Sequence, residues 1–148
     1  MTTHDIRLVV LHAATTFLLV GLIWTVQVVQ YPLFAQVGAD QFVSYHAGHS
    51  ARISLLVVPL MLVELVTACL LLVRRPAELS AGALWLGLAL LSVVWLSTFA
   101  LQVPRHGILG GGFDAAAHRT LVATNWLRTA AWSGRGLVVV WQLRRLLS

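Results

Sequence analysis

Six histidines, two deep arginines and one acid in the middle of an apolar run are the residues of this chain with chemistry to offer. His46 and His49 stand three apart, which on a helix puts both imidazoles on one side, where they could share a metal. His106 and His118 lie in or beside a second polar stretch, with Asp114 close by. Together, His46, His49, His106 and His118 with Asp114 or Glu64 as a carboxylate have the ligand types for zinc, copper, non-haem iron or haem. The same imidazoles could instead be hydrogen-bonded structural groups, or acid–base groups without a metal. His4 reads as a solvated terminal residue.

A second constellation sits at the end of the chain, in NWLRTAAWSGR from 125 to 135. His118, Asn125, Thr129 and Trp132 follow one another at helical spacings, so they form a stripe expected to face inward, since polar groups are costly in lipid. If this helix enters near Ala117, a rise of about 1.5 Å per residue puts Arg128 roughly 16 Å down and Arg135 roughly 27 Å down. A lone charge at that depth costs about 2.5–3.5 kcal/mol, so a partner is expected. Glu64, counted from Arg52, lies roughly 18 Å down on its own helix, which predicts a Glu64–Arg128 pair. Arg135 is expected to snorkel or to meet a helix-end carbonyl, with His12 as a possible neighbour. Arg128 would neutralise a developing negative charge, Glu64 would orient it or shuttle protons, and Asn125 would line the same site. The pair could equally serve only to fix which helices meet.

The elements that must hold these groups are transmembrane helices. Of 148 residues, 59% are hydrophobic and 10% charged, against about a quarter charged in a soluble domain. Four apolar segments, at about 6–29, 53–73, 81–101 and 117–143, predict a single all-α domain, an integral membrane four-helix bundle. Pro59 lies five residues before Glu64 and is expected to kink the second span, freeing carbonyls toward a cavity. The histidine-bearing stretches 31–52 and 103–119 read as long connections on one face, with GGGF as a hinge, and the short RRPAELS turn on the other. Trp24, Trp85 and Trp141 fit an aromatic belt. The opening MTTHDIR is too short and mixed for a signal peptide, so the first segment is expected to remain as a helix.

All ten basic residues are arginine, giving a net charge of +5. They fall mostly at the ends of apolar runs, which points to lipid headgroups and away from nucleic acid. With both termini inside, Arg7, Arg74, Arg75, Arg144 and Arg145 face Arg52, Arg105 and Arg119 outside, so the positive-inside rule places both termini in the cytoplasm. Cys69 is the one cysteine and excludes an intramolecular disulfide. No phosphate loop, dinucleotide fingerprint, CxxC or GxSxG is present. Ala81, Ala83 and Gly87 are small enough to allow close helix approach, within the chain or in a homo-oligomer.

QYPLF at 30–34, YHAGHSARI at 45–53, the Pro-x-x-x-x-Glu from Pro59 to Glu64 and GFDAAAHRTLVATNWLRT at 112–129 resemble a group of small bacterial four-helix membrane proteins of unknown function. The last helix also resembles, loosely, the anthrone-oxygenase-like membrane family. That resemblance implies a bacterial inner-membrane location and oxidation of a lipophilic or aromatic substrate, with Asn125 and Arg128 lining the site; the 46/49 histidine pair has no counterpart in it. The function expected from residues and resemblance together is a metal- or haem-dependent oxidoreductase acting on a lipophilic small molecule. The alternatives are a non-enzymatic binding or accessory subunit, and an oligomeric channel or transporter.

Overall fold

The computed structural model describes residues 1–147, and among them the secondary structure is entirely helical. Four long helices follow one another: α1 Thr3–Gln36, α2 Ala39–Arg74, α3 Ala81–Leu109 and α4 Ala115–Leu147. The first three are long and apolar enough to cross a membrane. The fourth is not as apolar, because its inward face carries His118, Asn125, Arg128, Thr129, Arg135 and Gln142, all buried. Large apolar side chains such as Leu55, Val73, Leu96 and Leu137 point outward instead.

The helices close into a square. α1 packs on α2 and α4, and α3 packs on the same two, so α2 and α4 face each other across a diagonal. One apolar cluster around Leu19, Met61, Leu91 and Trp132 fills the middle, and a second around Tyr31, Phe34, Phe42, Leu109 and Leu121 closes the histidine-bearing end. A third, built on Val9, Leu71 and Leu79, closes the opposite end. At that opposite end the N-terminal amine pairs with Glu78 and Arg74 reaches Asp5 at 3.5 Å. Gln142 exchanges two 3.1 Å bonds there with the Ser80 backbone. Both ends of the chain and the RRPAELS turn thus share one end of the bundle, and the four histidines of the sequence pattern share the other.

The two stretches expected as long connections are helical. Only Val37 and Gly38 separate α1 from α2, and α3 runs through Pro104 and His106 to Leu109. Tyr31, His46, Gln102 and His118 are buried against neighbouring helices, and the backbone satisfies its own groups inside the element. The true break is at 110–114, where Gly112 adopts φ +140°, a conformation open to a residue without Cβ. Proline leaves its mark differently from expectation. Pro59 is exposed on an uninterrupted α2, away from any cavity. Pro32 and Pro104, each lacking an N–H for the preceding turn, instead follow π-helical segments at Val26–Gln30 and Thr98–Gln102. These wider turns carry Gln27 and Gln102 into the interior, at 2% and 1% exposure.

Gly134 and Gly136 flank Arg135 and let α4 lie close to its neighbours. A Cβ at Gly134 would stand 3.3 Å from Leu90, and one at Gly136 3.4 Å from Val20. Trp85 and Trp141 are exposed near helix ends, as a belt requires, but Trp24 lies well inside α1 and donates to Ser133 at 3.0 Å.

Candidate functional site: a buried arginine on a cavity wall

Two polar clusters occupy the interior, one around each deep arginine. The expected Glu64–Arg128 pair is replaced by Glu64–Arg135: Arg135 Nε donates to Glu64 Oε1 at 2.8 Å across the α2–α4 diagonal. Glu64 is wholly buried and accepts two further bonds, from Thr16 at 2.9 Å and from Trp132 Nε1 at 3.0 Å. Arg135 is 1% exposed, so it does not snorkel; its Nη1 donates to the Gly87 carbonyl inside α3, and Nη2 faces His12 at 3.5 Å. The Thr67 hydroxyl gives its proton to the Val63 carbonyl at 2.7 Å, so it must accept from His12 Nδ1 at 2.8 Å. His12 therefore presents its bare Nε2 to Arg135. His12 and Arg135 line a cavity of about 40 Å³, room for a water molecule or two. Every charge here has its partners, and such a network rigidifies the fold.

The cluster around Arg128 is built the other way. Asn125 Oδ1 accepts from Arg128 Nε at 2.9 Å and Nη2 at 2.6 Å. Asn125 is itself oriented, because its Nδ2 donates to Gln27 Oε1 at 2.7 Å and Gln27 Nε2 donates to the Val122 carbonyl at 3.2 Å. Arg128 Nη1 reaches Thr98 at 3.2 Å and Nη2 reaches the Tyr31 hydroxyl at 3.4 Å. Four of the five guanidinium hydrogens are thereby used, all on neutral groups. Among the described residues the ion pairs are Met1–Glu78, Arg74–Asp5 and Arg135–Glu64, and none includes Arg128, although it is only 7% exposed.

Arg128 forms part of the wall of a cavity of about 470 Å³ lined by all four helices. That volume lies within the range of small-molecule sites. Its wall is polar toward the histidine end, where His49, Ser50, Gln102 and His106 stand, and apolar toward the middle, where Leu19, Val57, Met61 and Trp132 stand. Three buried side-chain polar atoms lack a hydrogen-bond partner among the described residues: Ser50 Oγ, Trp95 Nε1 and Gln102 Oε1. All three residues line this one cavity. A more open cleft of about 380 Å³ between α1 and α2 shares Leu22, Val26, His49 and Ile53 with it.

The histidines meet at the polar end but do not form the expected ligand set. His46 Nε2 and His106 Nδ1 are 3.0 Å apart, and His106 Nε2 is 3.0 Å from the Tyr31 hydroxyl. With Arg128 donating to Tyr31, every hydrogen finds an acceptor in one direction: Tyr31 O–H to His106, then His106 Nδ1–H to His46. His49 packs its ring edge-on against Phe34, at 4.9 Å, and parallel to His106 at 6.3 Å. His118 Nε2 is taken by the Tyr31 carbonyl at 2.8 Å. Asp114 Oδ1 accepts from the Ala117 amide at 2.7 Å, which makes it the N-cap of α4. Its carboxylate is held by free amides of the first turn, away from the imidazoles, so Asp114→Ala is expected to cost about 0.5–2 kcal/mol of stability, read by denaturation in mixed micelles. Among the described residues no group of three or more His, Cys, Asp or Glu side chains is placed to hold a metal ion.

Of the expected site residues, Arg128, His49 and His106 line the cavity, Asn125 holds Arg128 from behind, and Glu64 belongs to the other cluster. The stripe His118, Asn125, Thr129 and Trp132 is buried as the spacing predicted. Tyr31, Gln27, Thr98 and Gln102 are the residues that sequence reasoning passed over. Their shared signal is position: each lies within a few residues of Pro32 or Pro104, in or beside the π-helical segments.

No family model, no curated protein and no solved structure matches the chain. The resemblance to four-helix and anthrone-oxygenase-like proteins therefore rests on the quoted residues alone.

Proposed function

We propose that the chain is an integral membrane protein whose central cavity binds a lipophilic acid, the acid group on Arg128 and the apolar body toward Leu19, Met61 and Trp132. The observation that carries this reading is a buried cation without a carboxylate, held by neutral side chains on the wall of a cavity of ligand size. A desolvated charge is costly unless something compensates it, and an anionic ligand compensates Arg128 in the place where it stands. The polar-to-apolar gradient along the wall sets the ligand's direction. The Tyr31–His106–His46 chain gives the site a means to accept or return a proton when the acid changes its ionisation state.

Membrane insertion is supported by three helices of sufficient length and hydropathy and by the outward leucines and valines. The arginine-rich end, which holds both ends of the chain, belongs on the cytoplasmic side by the positive-inside rule. The metal- or haem-dependent oxidoreductase expectation named His46, His49, His118 and Asp114 as metal ligands with His106 beside them; among the described residues these form no group able to hold a metal ion, since His46 faces His106, His118 the Tyr31 carbonyl and Asp114 the Ala117 amide. Binding, with proton exchange, is the part of that expectation the geometry favours.

Titration of the protein in lipid nanodiscs with dodecanoate, followed by tryptophan fluorescence, is expected to show saturable binding at one site per chain. Saturation at about a hundred times the dissociation constant should raise stability by about 2.7 kcal/mol. If no acid from octanoate to hexadecanoate binds saturably above protein-free nanodiscs, the proposal fails.

A further inference from the structure

We infer that the acid carries a hydrogen-bond donor close to its acid group, and that Gln102 receives it; the ligand class is a hydroxylated lipophilic acid. The inference rests on the pocket reading above and deepens it. Thr124 gives its hydroxyl proton to the Thr120 carbonyl at 2.7 Å. Its oxygen can then only accept from Gln102, which sets the Gln102 amide: Nε2 donates to Thr124 at 3.1 Å, and Oε1 is turned the other way. That oxygen is buried, is without a partner, and belongs to a residue of the cavity wall. An amide fixed by one neighbour cannot rotate to satisfy its other end, and an occupant of the cavity can supply the missing donor in place of water.

The position of that donor follows from the helix. Thr98, which holds Arg128 Nη1, and Gln102 are the two ends of one π-helical turn on the same wall. Thr98 and Gln102 are thus about a turn apart, roughly 5–6 Å between their Cβ atoms by ordinary helical spacing, and each holds one of the two groups, Thr98 the guanidinium and Gln102 the open oxygen. A hydroxyl on the second or third carbon of a carboxylic acid spans that separation with the carboxylate on Arg128. Trp95 Nε1 and Ser50 Oγ, the two other polar atoms without partners on this wall, are donors, and offer places for the ligand's remaining oxygens. A plain fatty acid would leave the Gln102 carbonyl as unsatisfied as it is in the empty pocket.

The test compares 3-hydroxydodecanoate with dodecanoate on the full-length protein in nanodiscs, for the wild type and for Gln102→Met. Comparing the ratio of the two affinities between proteins cancels the acids' unequal partitioning into lipid. The wild type is expected to prefer the hydroxy acid about tenfold beyond partitioning, the effect of one satisfied buried hydrogen bond, and Gln102→Met to lose that preference. Equal wild-type affinities, or a preference that survives in Gln102→Met, overturn the hydroxyl assignment while leaving the pocket in place. Failure of both acids to bind overturns the pocket reading and this inference with it.

Discussion

Arg128→Met is expected to weaken dodecanoate binding by about 2–4 kcal/mol, roughly 30- to 1,000-fold, while stability falls by no more than about 1 kcal/mol. The two halves of this result have separate causes. Binding falls because methionine offers neither the charge nor the one guanidinium hydrogen left over by Asn125, Thr98 and Tyr31. Stability does not fall far because two terms oppose each other. The buried guanidinium costs about 2.5–3.5 kcal/mol at mid-bilayer depth, and that cost disappears. Against it, Asn125 Oδ1 loses its donors, at about 1–3 kcal/mol. Dodecanoate titration and denaturation of the same nanodisc sample measure both quantities. Unchanged affinity in a folded Arg128→Met protein would remove Arg128 from the site, and a large loss of stability would make it a structural residue like Arg135.

Arg128 and Arg135 were not separable by sequence, and the reason is geometric. They are seven residues apart, two turns, and so lie on nearly the same face of α4. Only depth distinguishes them, and depth counted from the apolar segments starts α2 at about residue 53 and α4 at 117. The observed helices start at Ala39 and Ala115. Counted from there, Glu64 is roughly 37 Å along its helix, Arg135 roughly 30 Å and Arg128 roughly 20 Å along theirs. Glu64 thus belongs with Arg135. The error lies in reading YHAGHSAR as a connection: its histidines and serine are polar because they face a cavity and each other, a distinction that composition does not carry. What periodicity does carry held up. The inward stripe of α4, the helical character of the apolar segments and the gathering of four histidines at one end were all legible, because each follows from helical spacing or from the parity of crossings. The partners of Arg128 beyond Asn125 were not legible, since Tyr31 directly follows one π-helical turn and Thr98 opens another, and their widened register is one that no 3.6-residue pattern reveals.

Glu64 and Arg135 should behave in the opposite way to Arg128. Either Glu64→Met or Arg135→Met alone is expected to destabilise the bundle by about 3–5 kcal/mol, because each leaves its partner as an uncompensated charge in the interior. Glu64→Met additionally strands Thr16 and Trp132 Nε1, while Arg135→Met strands only the carboxylate and the His12 Nε2 facing it. The double replacement removes both charges and puts two apolar side chains of similar length across the α2–α4 diagonal. It is expected to be more stable than either single variant, since buried ion pairs are often matched by packed hydrophobic residues. Dodecanoate binding in the double variant should stay within about tenfold of wild type, because Glu64 and Arg135 touch the cavity only through Trp132, whose Nε1 they help to orient. Denaturation of the three variants supplies a double-mutant cycle. Additive losses would mean that the 2.8 Å contact contributes no coupling and that each residue is held by its other neighbours. A double variant that folds but no longer binds the acid would mean that the inner pair reaches into the pocket through Trp132, and the division of the interior into a structural cluster and a binding cluster would have to be given up.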